Sequence, residues 1–187
     1  MEIIYVILIA LPLGFVAFSA AFWGGVYRCL CFSEIMKMTI AFALFQTGMF
    51  WVGSWSGSSF ANSMGWMGVP FAEAIILLTG IKLIYGAFTI RPEQKSYNLA
   101  KNGELIAVSF ASSLNAFMIG LGMGLLRSVS IPTIYAILFL AAGMAVMGNY
   151  MGKRSGKLLY TKLAGILGGI MFIVLGMILV LDLYQMI

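Results

Sequence analysis

Six apolar runs follow one another along the chain, and the charges fall almost wholly between them. The runs are about Ile3 to Gly25, Met38 to Trp55, Val69 to Phe88, Leu105 to Leu126, Ile131 to Met151 and Leu163 to Leu183. A helix needs ~20 predominantly apolar residues to cross a bilayer, so helix plus short loop uses ~30. The 187 residues divide into about six such units, with almost nothing left for an extramembrane domain. The expected fold class is all-α: a polytopic membrane protein with six transmembrane helices in a single membrane domain over residues 1–187.

Composition closes off the soluble alternatives. Apolar residues make up 62% and charged residues 9%. A soluble domain carries about a quarter charged residues, so this chain cannot hide its apolar surface in one water-soluble core. A soluble enzyme, a disordered chain and a disulfide-rich secreted domain are excluded. There is no His, which removes imidazole catalysis and His-rich metal or haem sites. Cys29 and Cys31 are too few for a disulfide framework and read as free thiols in one loop. There is no Ser-His-Asp set, no phosphate-binding loop and no pair of carboxylates placed for acid–base work, so no enzyme is expected.

The net charge of +5 is loop charge. The loops between spans one and two, three and four, and five and six hold Arg28, Lys37, Arg91, Lys95, Lys101, Lys153, Arg154, Lys157 and Lys162. The opposite side holds only Arg127. Lys and Arg accumulate on the cytoplasmic side, so both termini are expected outside the cytoplasm, in a bacterial-type inner membrane. Glu2 stands where a signal peptide would have a basic region, and the first apolar run is of span length.

The stretch from Gln94 to Asn98, with Lys101 to Glu104, is the clearest polar linker. It separates repeat one (1–90) from repeat two (105–187), with 91–104 between them. Val16-Ala17-Phe18-Ser19 followed by Gly24-Gly25 is echoed by Asn115-Ala116-Phe117-Met118 followed by Met123-Gly124. Gly48-Met49, Gly53, Trp55 and Gly57 recur at the same spacing as Gly143-Met144, Gly148, Tyr150 and Gly152. An odd number of spans per half inverts one half relative to the other. Inverted three-helix repeats are a transporter architecture, with the site near the bilayer midplane. Small residues at every fourth position (Ser112, Ala116, Gly120 and Gly124; Ala17, Ala21 and Gly25; Gly148 and Gly152; Gly165 and Gly169) allow close helix approach. Spans one and four are expected at the centre, and Pro12 frees the carbonyl of Leu8.

Polar groups inside the membrane are costly and need a partner or a role. Ser19, Thr47, Thr79, Ser109, Ser112 and Ser113 can bond their own helix backbone. Gln46, Asn115 and Asn149 do so less easily, and serve either as interhelical glue or as oxygen and amide donors to a solute. Lys82 lies inside span three, roughly 13 Å of helix rise before Arg91. It either snorkels to the surface or faces the transport path, where it meets an anionic group or releases its proton. No mid-span carboxylate is visible: Glu73 lies nearer the outer end of span three, and Asp182 at the outer end of span six. The expected path runs between spans one, two, four and five, with span three adding Lys82. Its residues are Val16, Ser19, Gln46, Thr47, Lys82, Ser112, Asn115 and Asn149.

Three segments resemble the MntP family of manganese efflux pumps, within the LysE-type exporter superfamily. Ser113-Leu114-Asn115-Ala116-Phe117 with Gly120-Leu121-Gly122 resembles that family's span-four Ser-Leu-Asp-Ala motif. Val16-Ala17-Phe18 with Ser19 resembles its span-one Asp-Ala-Phe motif. The run from Gly80 to Phe88 resembles its span-three Gly-Gly-Lys-Met-Ile-Tyr-Glu-Ala-Phe pattern. The resemblance implies six short spans, two repeats and divalent-cation efflux, with Gln46 and Asn115 as metal contacts if there are any. The family's carboxylates are replaced: Val16 and Asn115 stand for Asp, Gln46 and Gly86 for Glu. A dication in a midplane pocket without an anion is expensive, and Lys82 adds to the cost.

The alternatives are a transporter of a neutral, zwitterionic or anionic solute using Gln46, Asn115 and Lys82, or a non-transporting membrane subunit of the same fold. A redox relay through Cys29 and Cys31, or soft-metal handling by Met144, Met147 and Met151 on one face of span five, fits less well. No cofactor is expected, manganese being the transported species. The partners are the bilayer and a small solute or metal ion, not nucleic acid, with homo-oligomerisation left open.

Overall fold

The computed structural model describes the backbone of residues 2–27, 30–89 and 98–186, and side chains within 4–27, 30–89, 98–157 and 159–181. Arg28, Cys29, Arg91, Gln94, Lys95, Ser96 and Tyr97, and the side chains of Glu2 and Asp182, lie outside the described residues. What is described is helical, with no strand: α1 (Glu2–Tyr27), α2 (Phe32–Met64), α3 (Gly68–Thr89), α4 (Asn102–Leu125), α5 (Ile131–Ser155) and α6 (Leu158–Met186). Five helical segments are long and apolar enough to cross a membrane, and one of them, Phe32–Thr89, is 58 residues long. That segment comprises α2, a 3-10 turn at Gly65–Met67 and α3.

The helices begin and end where elementary chemistry dictates. Glu34 Oε2 accepts the N–H of Cys31 at 2.7 Å, which satisfies a free donor at the start of α2. An acid there also favours the positive end of the helix dipole. Gly156 closes α5 with φ 58°, a left-handed conformation natural to glycine. Lys153 and Arg154 lie in the last turn of α5, where cations suit the dipole. α2 runs well past Trp55, where the apolar run ends, through a serine-rich stretch. Ser54, Ser56, Ser58 and Ser59 each donate to a carbonyl three or four residues back, all at 2.9 Å. These hydroxyls are satisfied on their own helix, which continues through the polar stretch to Met64.

Helix directions follow from the contacts. Phe18 and Phe22 of α1 lie against Gly148 and Gly152 of α5 in the same order, so these helices run parallel. Phe117 and Leu121 of α4 lie against Gly53 and Gly57 of α2 in the same way. Gly165, Gly169 and Gly176 of α6 meet Ala87, Ile84 and Leu77 of α3 in reverse order, so α3 and α6 are antiparallel. Gly122 of α4 meets Ile76 and Ala72 of α3, while Asn115 meets Lys82, so α3 and α4 are antiparallel too. The chain therefore reverses direction between α2 and α3, at Gly65 with φ 51°.

The small-residue stripes are the helix interfaces. A Cβ at Gly120 or Gly124 would overlap the carbonyl oxygens of Phe50 or Ser54 on α2. A Cβ at Gly25 would overlap the Asn149 carbonyl on α5. Without a hydrophobic force between helices in lipid, this close packing is what holds them together. The main buried cluster draws on α1 (Ile9, Leu13), α2 (Phe50), α3 (Ile76), α4 (Ala116, Ile119, Met123), α5 (Ile137) and α6 (Phe172, Leu175). Leu8 packs against this cluster. A second cluster, with Leu30, Met38, Leu99 and Leu105, packs the other end. Leu99 seats against Gly24, where any side chain would collide with it.

Candidate functional site: a cavity around Lys82

Above the main cluster, α1, α3, α4 and α6 part around a cavity of about 710 Å³. α1 contributes Phe15, Val16 and Ser19, α3 contributes Lys82, Tyr85 and Gly86, and α6 contributes Thr161 and Gly165. α4 contributes Glu104, Ser112 and Asn115. These positions repeat at helical intervals of three or four on each helix, so each element turns one face to the cavity. The cavity runs from Lys82 and Asn115 to Glu104 and Thr89. One turn beyond Val16 and Asn115 the helices close again, and Leu13 and Ile119 are fully buried.

Lys82 Nζ donates to Asn115 Oδ1 at 3.1 Å. This is the one polar contact of Lys82 among the described residues. Glu104 accepts the N–H of Asn98 at 2.7 Å and lies 3.6 Å from Lys101 Nζ. The carboxylate on the wall is therefore engaged at the end of α4. Ser112 Oγ donates to the Ser109 carbonyl at 2.9 Å, and Ser113 and Thr79 likewise bond their own helices. Among the described residues no group of three or more His, Cys, Asp or Glu stands close enough to hold a metal ion.

Of the eight residues singled out for the path, the structure brings together Val16, Ser19, Lys82, Ser112 and Asn115. Gln46, Thr47 and Asn149 do not line the cavity. They sit on α2 and α5, which pack closely on α4 and α1 through glycine. The open space thus lies between α1, α3, α4 and α6, not between the first, second, fourth and fifth helices. Among the described residues, neither amide atom of Gln46 has a protein partner, nor do Asn149 Nδ2 and Thr47 Oγ1. Gln46 is 0% exposed. Sequence reasoning passed over Phe15, Tyr85, Glu104 and Thr161 as cavity residues. Tyr85 and Thr89 were legible, since they follow Lys82 at three and seven residues on the same helix face.

A smaller cavity of about 420 Å³ lies at the other end, lined by Tyr5, Arg127, Ser130 and Thr133 among others. Arg127 takes a left-handed conformation, φ 53°, and its guanidinium donates to Asn62 Oδ1.

Residues 29–180 match the family described as "Putative manganese efflux pump". A protein of Campylobacter fetus subsp. fetus named "Putative manganese efflux pump MntP" is 32% identical over 178 residues, covering 94% of each chain. Its namesake in Crocosphaera subtropica is 28% identical over 179 residues, covering 94% of each. The one in Methanothermobacter thermautotrophicus is 27% identical over 188 residues, covering 97% of each. No solved structure matches the chain. The helices long and apolar enough to cross a membrane, and the match over most of the length, make this chain a multi-pass membrane protein belonging to the MntP family.

Proposed function

We propose that this protein exports manganese, or a divalent cation like it, across a bacterial-type inner membrane. The observation that carries the reading is the cavity itself. It gathers Val16, Asn115 and Gly86, three of the positions where the family motifs have carboxylates, around one space. The path residues are Val16, Ser19, Lys82, Ser112 and Asn115. The oxygens offered to a cation are Asn115 Oδ1, the hydroxyl lone pairs of Ser19 and Ser112, and water.

The bundle reads as six crossings in two inverted three-helix repeats, with 91–104 as linker. Two features support this. The 58-residue segment is too long for one span and reverses at Gly65. The contacts also recur when the halves are exchanged. Phe18 and Phe22 on Gly148 and Gly152 correspond to Phe117 and Leu121 on Gly53 and Gly57. Gly25 on Asn149 corresponds to Gly124 on Ser54. The helix directions put the described Lys37, Lys101, Lys153, Arg154, Lys157 and Lys162 at one end of the bundle, and Arg127 at the other. Positive charge belongs on the cytoplasmic side, so the cavity around Lys82 faces the cytoplasm and both termini lie outside.

Export then requires the cavity to close on that side and open on the other. The amide of Gln46, Asn149 Nδ2 and the hydroxyl of Thr47, unbonded among the described residues, are a cost to the present state. A state in which the path reaches them would relieve it, and this is their proposed role. Lys82 bears on the same step. A dication about 4 Å from an ammonium is repelled by roughly 8 kcal/mol at an effective dielectric of ~20. The ammonium must therefore leave Asn115 or be compensated when the cation arrives. The test is manganese accumulation in a bacterial strain lacking its own exporter. Expression of the chain is expected to lower cell manganese and rescue growth at high manganese. Unchanged manganese content with the chain correctly inserted overturns the reading.

A further inference from the structure

The cavity around Lys82 is lined by one ammonium and, among the described residues, by no carboxylate that is free of a partner. An ammonium has three donors, and Lys82 uses one, on Asn115 Oδ1. Asn115, Ser19 and Tyr85 line the same cavity, and Asn115 Nδ2 and the two hydroxyls have no protein bond among the described residues. The acceptors on the wall are neutral oxygens, Asn115 Oδ1 and the hydroxyls of Ser19, Tyr85 and Ser112, and the carboxylate of Glu104 is already engaged by Asn98 N–H and Lys101. A wall of neutral oxygens and one ammonium attracts an anion and repels a bare cation. Size points the same way. The cavity of about 710 Å³ falls within the roughly 300–1,000 Å³ of small-molecule sites.

We propose that this cavity binds a small organic polycarboxylate, and that manganese crosses as the complex of that carboxylate. The inference rests on the manganese reading above and names the form in which the cation is recognised. One carboxylate group sits on Lys82 Nζ and Asn115 Nδ2, with the Ser19 hydroxyl as a further donor. The remaining carboxylates hold the metal. Manganese favours hard oxygen ligands, and here the ligand brings them. The dication is then neutralised by its own ligand, so Val16, Asn115 and Gly86 need carry no charge. Lys82 turns from a repelling group into the anchor.

Citrate is the probe. The full chain is reconstituted into liposomes, which are given manganese alone, citrate alone or both. Metal content and radiolabelled citrate are measured in the washed liposomes. Citrate is expected to speed manganese entry by about tenfold or more, a gain of one decade in effective affinity. Labelled citrate is expected to enter with the metal. Lys82→Met should lose the stimulation and Lys82→Arg should keep it. Should Lys82→Met fail to fold, Asn115→Asp serves in its place. A carboxylate beside Lys82 should abolish the citrate effect and let bare manganese enter. Equal manganese entry with and without citrate overturns the carboxylate inference and leaves manganese export standing. Citrate entry that ignores manganese overturns both. Entry of neither solute through the folded, reconstituted chain also overturns both.

Discussion

At position 46 a primary amide is fully buried, and neither its carbonyl nor its NH2 is bonded among the described residues. A buried polar group left unpaired costs about 1–3 kcal/mol. Leu is close to Gln in volume and removes the unpaired atoms. Gln46→Leu should therefore raise the melting temperature of the detergent-solubilised protein by a few degrees and slow manganese transport. Stability that is unchanged or lower, or transport that is unaffected, would count against a stored cost at this position. The serines and threonines behave as their chemistry suggests from sequence: Thr79, Ser112 and Ser113 bond their own helices. The bond between Lys82 and Asn115 was not legible. Each residue stands out as polar in an apolar run, but they lie 33 positions apart on different helices. No local pattern pairs them.

Elements were the most legible level. Apolar runs of span length give helices because a backbone in lipid must satisfy itself. All six runs are helical where described, and α1, α3, α4 and α5 keep close to the expected limits. α2 is the departure: it continues beyond the apolar run through a serine-rich stretch whose hydroxyls are satisfied on their own helix. How the elements pack yields the next prediction. Gly120 and Gly148 face backbone carbonyls of the neighbouring helix with no room for a methyl group, whereas Gly48 and Gly143 face open space. Gly120→Ala and Gly148→Ala should pry helices apart and lower the melting temperature in mild detergent. Gly48→Ala and Gly143→Ala should be neutral or stabilise by up to about 1 kcal/mol, the helix-propensity gain of Ala over Gly. Equal melting temperatures for all four variants would show that the close contacts do not hold the bundle together.

The whole molecule has a direction as well as a shape. Basic residues gather at one end of the bundle, so alkaline phosphatase fused after Ile187 should be active in a bacterial host, and a fluorescent protein at the same site should be dark. The reverse pattern would invert the side on which the Lys82 cavity opens. Charge placement of this kind is determined by sequence alone, as are the all-helical membrane class and the identity of the small residues that let helices meet. These follow from the bilayer as solvent, which acts on each segment wherever its neighbours are. The location of the open space was decided only by the tertiary structure. Gln46 and Lys82 are equally conspicuous in the sequence, yet α2 packs on α4 through Gly53, Gly57, Gly120 and Gly124, and Gln46 is sealed. The helices around Lys82 part instead. Which polar residue faces a cavity depends on where backbones come within a hydrogen atom's width of each other. That is a property of helix pairs distant in the chain, and a single helix's sequence does not carry it.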